Sequence, residues 1–133
     1  MYLTNECEYG MRVIRALSDG DMHTVKEVAK IESIPVPFAY KVVEKLNKAG
    51  YLANYRGRSG GIRLVYQLDK ITLFDVVTAI DSERHVKKCI RGENVCPMVG
   101  DKAACKFHTE LARIQQVLVD ELKSRTIKEV LAI

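Results

Sequence analysis

Apolar residues recur at helical spacing in six stretches of the chain, interrupted once by a segment with the shorter period of strands. Thr4 precedes Tyr9, Val13, Ala16 and Leu17, which fall on one face of a first helix. Thr24 and Glu27 form a capping box, in which hydroxyl and carboxylate each accept the other's backbone N–H, and Val28 and Ile31 continue a short second helix. Pro35 and Pro37 suit a turn and a first helical position. After them Phe38, Val42, Leu46 and Ala49 form the apolar stripe of a third helix that stops at Gly50. Its opposite face carries Tyr40, Lys41, Glu44, Lys45 and Lys48, so it is long-reaching and basic.

Residues 51–66 change period: two short runs rich in Tyr, Leu, Val and Ile flank a turn with Gly57, Gly60 and Gly61, which predicts a β-hairpin. Thr72 and Asp75 open a helix through Val76, Val77 and Ile80. Residues 82–105 then lose all periodicity, and a loop this long in a compact domain usually has a function of its own. From Lys106 to Ser124 the stripe Phe107, Leu111, Ile114, Leu118 and Leu122 predicts an amphipathic helix about 28 Å long. It either folds back on its own core or pairs with its twin in a second subunit, and pairing is the expectation. Thr126 and Glu129 open a last short helix through Ile127, Val130 and Leu131. The predicted fold is therefore mainly α with a small β-hairpin wing: a winged helix-turn-helix over residues 1–81, a cysteine-containing sensor loop over 82–105, and a dimerisation helix with a short C-terminal helix over 106–133.

A length of 133 residues, 47% hydrophobic and 29% charged, fits one core-bearing domain plus an appendage and excludes a wholly disordered chain. The longest apolar run falls far short of the roughly 20 residues that span a bilayer. The opening MYLTNECEYG also lacks a basic stretch followed by a hydrophobic one, so the expectation is a cytoplasmic protein with no membrane partner. The net charge of +4 is modest, but Lys41, Lys45, Lys48, Arg56, Arg58 and Arg63 face one acid, Glu44, between residues 41 and 63. Each of these cations alone is better explained by solvation. Their joint placement on the third helix and the hairpin is the footprint of a DNA-binding surface. A helix enters a major groove about 12 Å wide with its N-terminal residues at the base edges. Pro37, Phe38, Ala39, Tyr40 and Lys41 occupy that end here, with Lys45 on the flank. Arg56, Arg58 and Arg63 on the wing are candidates for phosphate or narrow minor-groove contacts.

Three of the four cysteines, Cys89, Cys96 and Cys105, lie in or at the end of the aperiodic loop, with gaps of six and eight residues, and two further residues separate Cys105 from His108. Three thiolates and an imidazole make a four-ligand site that either an iron–sulfur cluster or zinc accepts, although the tight pairs common in zinc sites are missing. Lys87, Lys88 and Arg91 favour thiolate over thiol and offset a negative cluster. The plainer alternative is three ordinary cysteines in a loop. Cys7 is expected to be a small buried residue, and His23 and His85 to lie on the surface. A thiol-dependent enzyme, with a cysteine activated by His85 or His108, lacks support: there is no strand-to-helix elbow around a nucleophile, no phosphate-cradling glycine loop and no paired acids. The chain is not expected to be an enzyme.

Over nearly its whole length the chain resembles the IscR, NsrR and CymR family of bacterial winged-helix transcription regulators. The resemblance is carried by Leu3, Thr4 and Tyr9, by the stretch from Ile34 through Leu46 to Gly50, and by the wing Arg56-Gly57 followed by Gly60-Gly61 and Leu64. Thr72-Leu73, Asp75-Val76, Ile80-Asp81, the three-cysteine loop and the long helix extend it. It implies a homodimer joined by the long helix, each subunit placing its third helix and wing on half of a roughly palindromic operator in double-stranded DNA. It also implies a 2Fe-2S or 4Fe-4S cluster on Cys89, Cys96 and Cys105, with His108 or, alternatively, Glu8 of the partner subunit as fourth ligand. A regulator of the same fold that senses through bare thiols or a partner protein is the alternative. Pro37 and Tyr40 stand where IscR-like members carry Ser and Glu, so the target sequence is not carried over.

Overall fold

The computed structural model describes residues 3–81, 83, 85–86 and 105–133. Helix α1 (Asn5–Ala16) begins at Thr4, whose hydroxyl accepts the Cys7 backbone N–H at 3.3 Å. Helix α2 (Val25–Ile31) carries both halves of the Thr24–Glu27 box, at 2.8 and 3.1 Å. Helix α3 (Val36–Lys48) follows a turn in which Ser33 takes a φ of 53°, and it starts with Pro35 as N-cap and Pro37 inside its first turn. Gly50, at φ 86°, ends it in the left-handed conformation that glycine adopts without a Cβ penalty.

Strands β1 (Leu52–Tyr55) and β2 (Gly61–Leu64) pair antiparallel, Leu52 opposite Leu64 and Tyr55 opposite Gly61. The backbone of His23, just before α2, exchanges two hydrogen bonds with Ile62 at 2.7 and 3.0 Å, tying this wing to the helix-turn-helix. Helices α4 (Leu73–Ile80), α5 (Lys106–Lys123) and α6 (Ile127–Leu131) complete the chain. The mainly helical fold with a two-stranded wing is that expected from the pattern.

Helices α1, α3 and α4 meet through Val13, Ile14, Leu17, Val42, Leu46 and Val76, all fully buried. Burial of each such side chain stabilises the fold by about 1.5–3 kcal/mol. A Cβ at Gly10 would sit 2.9 Å from Cγ1 of Ile80, so α1 crosses α4 at a distance that leaves no room for a larger residue.

The stripe on α3 departs from expectation. Phe38 and Ala49 are exposed, whereas Ala39 and Val43 are buried with Val42 and Leu46. The small Ala39 permits close packing on the core side, and Phe38 instead turns its ring toward Tyr9, 5.9 Å between centroids. Ile31 on α2 is likewise exposed, and Ala29 is buried beside Val28.

The far end of α5 is anchored by buried Leu122 and by the Lys123 ammonium 4.4 Å above the Phe74 ring. Buried Ile127 of α6 donates its N–H to Ile71 at 2.7 Å, so the end of the chain shares the core of the first 81 residues. Leu118 of the α5 stripe packs partly against the same core, whereas Phe107 is 83% exposed and Ile114 41%. No helix among the described residues is long and apolar enough to cross a membrane.

Candidate nucleic-acid interface

Burial of Ala39, Val42, Val43 and Leu46 turns Pro37, Lys41, Glu44 and Lys48 outward along α3. Tyr40, half exposed, lies on the edge that faces the wing. Between α3 and the hairpin runs an open groove of about 600 Å³, lined among others by Tyr40, Lys41, Asn47, Asn54 and Tyr55. Asn47, Asn54 and Tyr55 are additions to the candidate set. Asn47 lies two turns beyond Tyr40 on the same edge, a spacing visible in the sequence, but the wing residues join them only through the fold.

The helix is less electropositive than its lysine count implies. Lys41 Nζ lies 2.5 Å from Oε1 of Glu6 on α1, and Lys45 Nζ lies 2.7 Å from its Oε2 and 2.9 Å from the Ile80 carbonyl. Hydrogen bonds from Lys41 and then Lys45 hold the Glu6 carboxyl below the usual glutamate value, against the opposing effect of partial burial. Lys48 pairs with Glu44 one turn back at 2.9 Å. Nothing local in the sequence announces Glu6, because 35 residues separate it from Lys41.

The wing differs. Arg56 and Arg58 flank Gly57, whose φ of 106° shapes the turn, and both are exposed with no hydrogen bond or ion pair to another described residue. Arg63 on β2 is exposed too, but its Nε donates to the Gly20 carbonyl at 2.8 Å, bracing the wing against the turn after α1. Two free guanidinium groups on a short loop beside an outward helix can reach neighbouring phosphates of one duplex.

Of the sulfur ligands, Cys89 and Cys96 lie outside the described residues, as do Lys87, Lys88 and Arg91. Cys105 is half-buried and caps α5, its Sγ accepting the His108 backbone N–H at 3.4 Å. His108 stands one turn on, and its ring Nδ1 is buried with no hydrogen-bond partner among the described residues. Leaving such an atom unsatisfied costs about 1–3 kcal/mol, so a thiol and an imidazole on one helical turn with one ring nitrogen uncommitted among the described residues suit a metal or cluster. His85 has the same uncommitted buried Nδ1, against the expectation of a surface residue. His23 makes a 2.8 Å contact to Asp19 in addition to its backbone role in the wing. Glu8 is exposed and paired with Arg12 at 2.5 Å. Cys7 is fully buried, as expected. The described residues alone bring no three ligating side chains together.

A helix-turn-helix whose third helix faces outward beside a glycine-turned, arginine-tipped hairpin is a winged-helix DNA-binding regulator. The chain belongs to the Rrf2 family, described as iron-dependent transcriptional regulators, which it matches over residues 3–133. It is 29% identical over 132 residues to Protein aau3 of Rhizobium meliloti (strain 1021), covering 97% of this chain and 84% of that protein. It is 30% identical over 118 residues to a chain of Aquifex aeolicus (strain VF5) described as an HTH-type transcriptional regulator, covering 89% and 81%. Among solved structures, CymR, the global cysteine regulator of B. subtilis, superposes with a TM-score of 0.74 at 19% identity, covering 98% of this chain and 95% of that one. T. potens IscR gives 0.75 at 16%, covering 99% and 87%. The Aquifex chain and CymR are described as regulators, and the two superpositions establish the shared fold.

Proposed function

We propose that the protein is a homodimeric DNA-binding transcription regulator of the cytoplasm that senses redox, nitric oxide or iron–sulfur status through a cluster on its cysteine loop. Residues 1–81 bind DNA, 82–105 sense and 106–133 dimerise. The observation that carries the DNA reading is the pair of exposed guanidinium groups of Arg56 and Arg58 at the tip of the wing, unpaired among the described residues. The residues from Pro37 to Lys41 stand at the base-edge end of α3, with Phe38 and Lys45 along the side facing α1 and Arg63 bracing the wing. The open apolar face of α5, where Phe107, Ile114 and Val117 are 83%, 41% and 51% exposed, supports pairing with a second copy. Two copies so joined read half-sites of a roughly palindromic operator, one helical turn of about 34 Å apart.

Cys89, Cys96 and Cys105 hold the cluster in this reading, with His108 as fourth ligand; the alternative is Glu8 of the partner subunit, which would have to leave Arg12. When bound, the cluster supplies one-electron redox chemistry and reactivity toward oxidants. Cys105 links the loop to the dimer helix, because its sulfur is the acceptor that caps α5. A change of state at that sulfur alters the first turn of the helix whose apolar face meets the second copy.

Anaerobic purification, followed by visible absorption, iron and sulfide analysis and titration of a fluorescent duplex, tests the whole reading. Coloured, iron-containing protein whose DNA affinity changes when the cluster is removed is the expected result. Colourless, iron-free protein that binds DNA and still responds to oxidant replaces the cluster by bare thiols, and zinc replaces it by a structural metal. Absence of duplex binding in every state overturns the DNA reading itself.

A further inference from the structure

Glu6 is the one acid on α1 that reaches the recognition helix, and it holds two of its lysines at once, Lys41 by Oε1 at 2.5 Å and Lys45 by Oε2 at 2.7 Å. Its side chain is about a quarter exposed, that of Lys41 more than half. A carboxylate accepting hydrogen bonds from two ammonium groups through separate oxygens has the acceptor set of a backbone phosphate, which also offers two charged oxygens to neighbouring cations. Lys45 has a second partner in the Ile80 carbonyl at 2.9 Å, whereas Lys41, on the outward face, has no other partner among the described residues.

We propose that Glu6 is an internal competitor for DNA phosphate: it occupies Lys41 and Lys45 in the free protein and must be displaced before they grip a duplex, so it lowers affinity for DNA of any sequence. The inference rests on the proposed DNA reading of α3. Its physical content is an exchange of one ion pair for another. With Glu6 and Glu44 beside its three lysines, the recognition helix of the free protein carries one net positive charge rather than two, which weakens indiscriminate binding. Because Glu6 sits on α1 and the lysines on α3, any movement of the first turn of α1 changes the charge that the recognition helix presents. No change in α3 itself is needed.

The test compares wild type, Glu6→Gln, Glu6→Asp and the triple variant Glu6→Gln/Lys41→Ala/Lys45→Ala. Each is titrated into a labelled duplex selected by the wild-type protein from a random library, and into a mixed-sequence duplex, at about 50 mM salt. Each exposed ion pair released is worth a factor of about 1.4 to 5, so release of the two pairs by Glu6→Gln tightens binding to both duplexes by roughly 2- to 25-fold. Glu6→Asp keeps the net charge but shortens the reach, and its smaller gain separates loss of the clamp from simple loss of a negative charge. The gain vanishes in the triple variant. Melting curves accompany every titration, and Glu6→Asp supplies the answer should Glu6→Gln fold poorly. Unchanged or weaker binding by both single variants, or a gain that survives removal of the lysines, overturns the proposal while leaving the DNA reading intact. Wild type that binds neither duplex takes down both.

Discussion

Replacing Arg56 and Arg58 together by alanine separates the charge of the wing from its fold. Both side chains are exposed and unpaired among the described residues, and Gly57 between them, not either arginine, shapes the turn. Truncation therefore removes no packing and should leave stability within about 0.5 kcal/mol of wild type. In the proposed function each arginine neutralises one phosphate. Each such contact contributes about 0.9 to the slope of log affinity against log salt, so the double variant loses about 1.8 per wing. Over a fourfold rise in salt that is about a twelvefold difference per wing in how far affinity falls. Arg63→Ala is the contrast, since its Nε is spent on the Gly20 carbonyl at 2.8 Å. It should leave the slope nearly unchanged and lower stability by about 1 kcal/mol through the lost hydrogen bond. Fluorescence anisotropy of a labelled duplex over a salt series, with melting curves, measures both quantities. An unaltered slope in the Arg56/Arg58 variant, with the loss appearing in Arg63→Ala, would show that the tip of the wing does not meet the backbone.

Two further outcomes concern local order. Thr24→Ala removes one half of the box that starts α2, next to the His23 bridge to the wing, and should cost about 1 kcal/mol, read as a fall of a few degrees in melting temperature. Glu129 accepts the Thr126 backbone N–H at 2.7 Å and its hydroxyl at 3.0 Å, which holds the carboxyl below the ordinary 4.5. A depressed folded value means stability that is present above 4.5 and lost as pH falls through the lowered value. The melting temperature of wild type should exceed that of Glu129→Gln near neutral pH and converge with it once pH has fallen below the lowered value; a gap that persists after the wild-type carboxyl is protonated assigns the effect to shape rather than charge.

What the sequence discloses here is set by distance along the chain. The three capping boxes at Thr24, Thr72 and Thr126 close over three residues each and are all present, and α5 starts at Lys106 as its stripe implies, ending at Lys123. The Glu6–Lys41 and Arg63–Gly20 contacts span 35 and 43 residues, and neither partner has a local signature, so the charge of the recognition helix was overestimated from composition. The α3 stripe slipped by one position because Phe38 outranks Ala39 in apolarity, whereas close helix packing favours the smaller side chain. The spacing of the cysteines was legible, but Cys89 and Cys96 fall outside the described residues, and only Cys105 and His108 contribute geometry.

Ion pairing, more than charge count, then divides the labour of the proposed interface. Every lysine of α3 has a carboxylate partner, Glu6 for Lys41 and Lys45 and Glu44 for Lys48, so two of its three positive charges are offset. What it offers on the edge toward the wing is Tyr40 and Asn47, neutral groups suited to base edges and methyls rather than to phosphate. Arg56 and Arg58 carry the free charge on a loop that no base edge needs to meet. In the proposed interface sequence-indifferent grip is shared by the wing arginines and the lysines of α3, and sequence reading falls to Tyr40 and Asn47. The lysine share of the grip is set at Glu6 without replacing a side chain that reads bases.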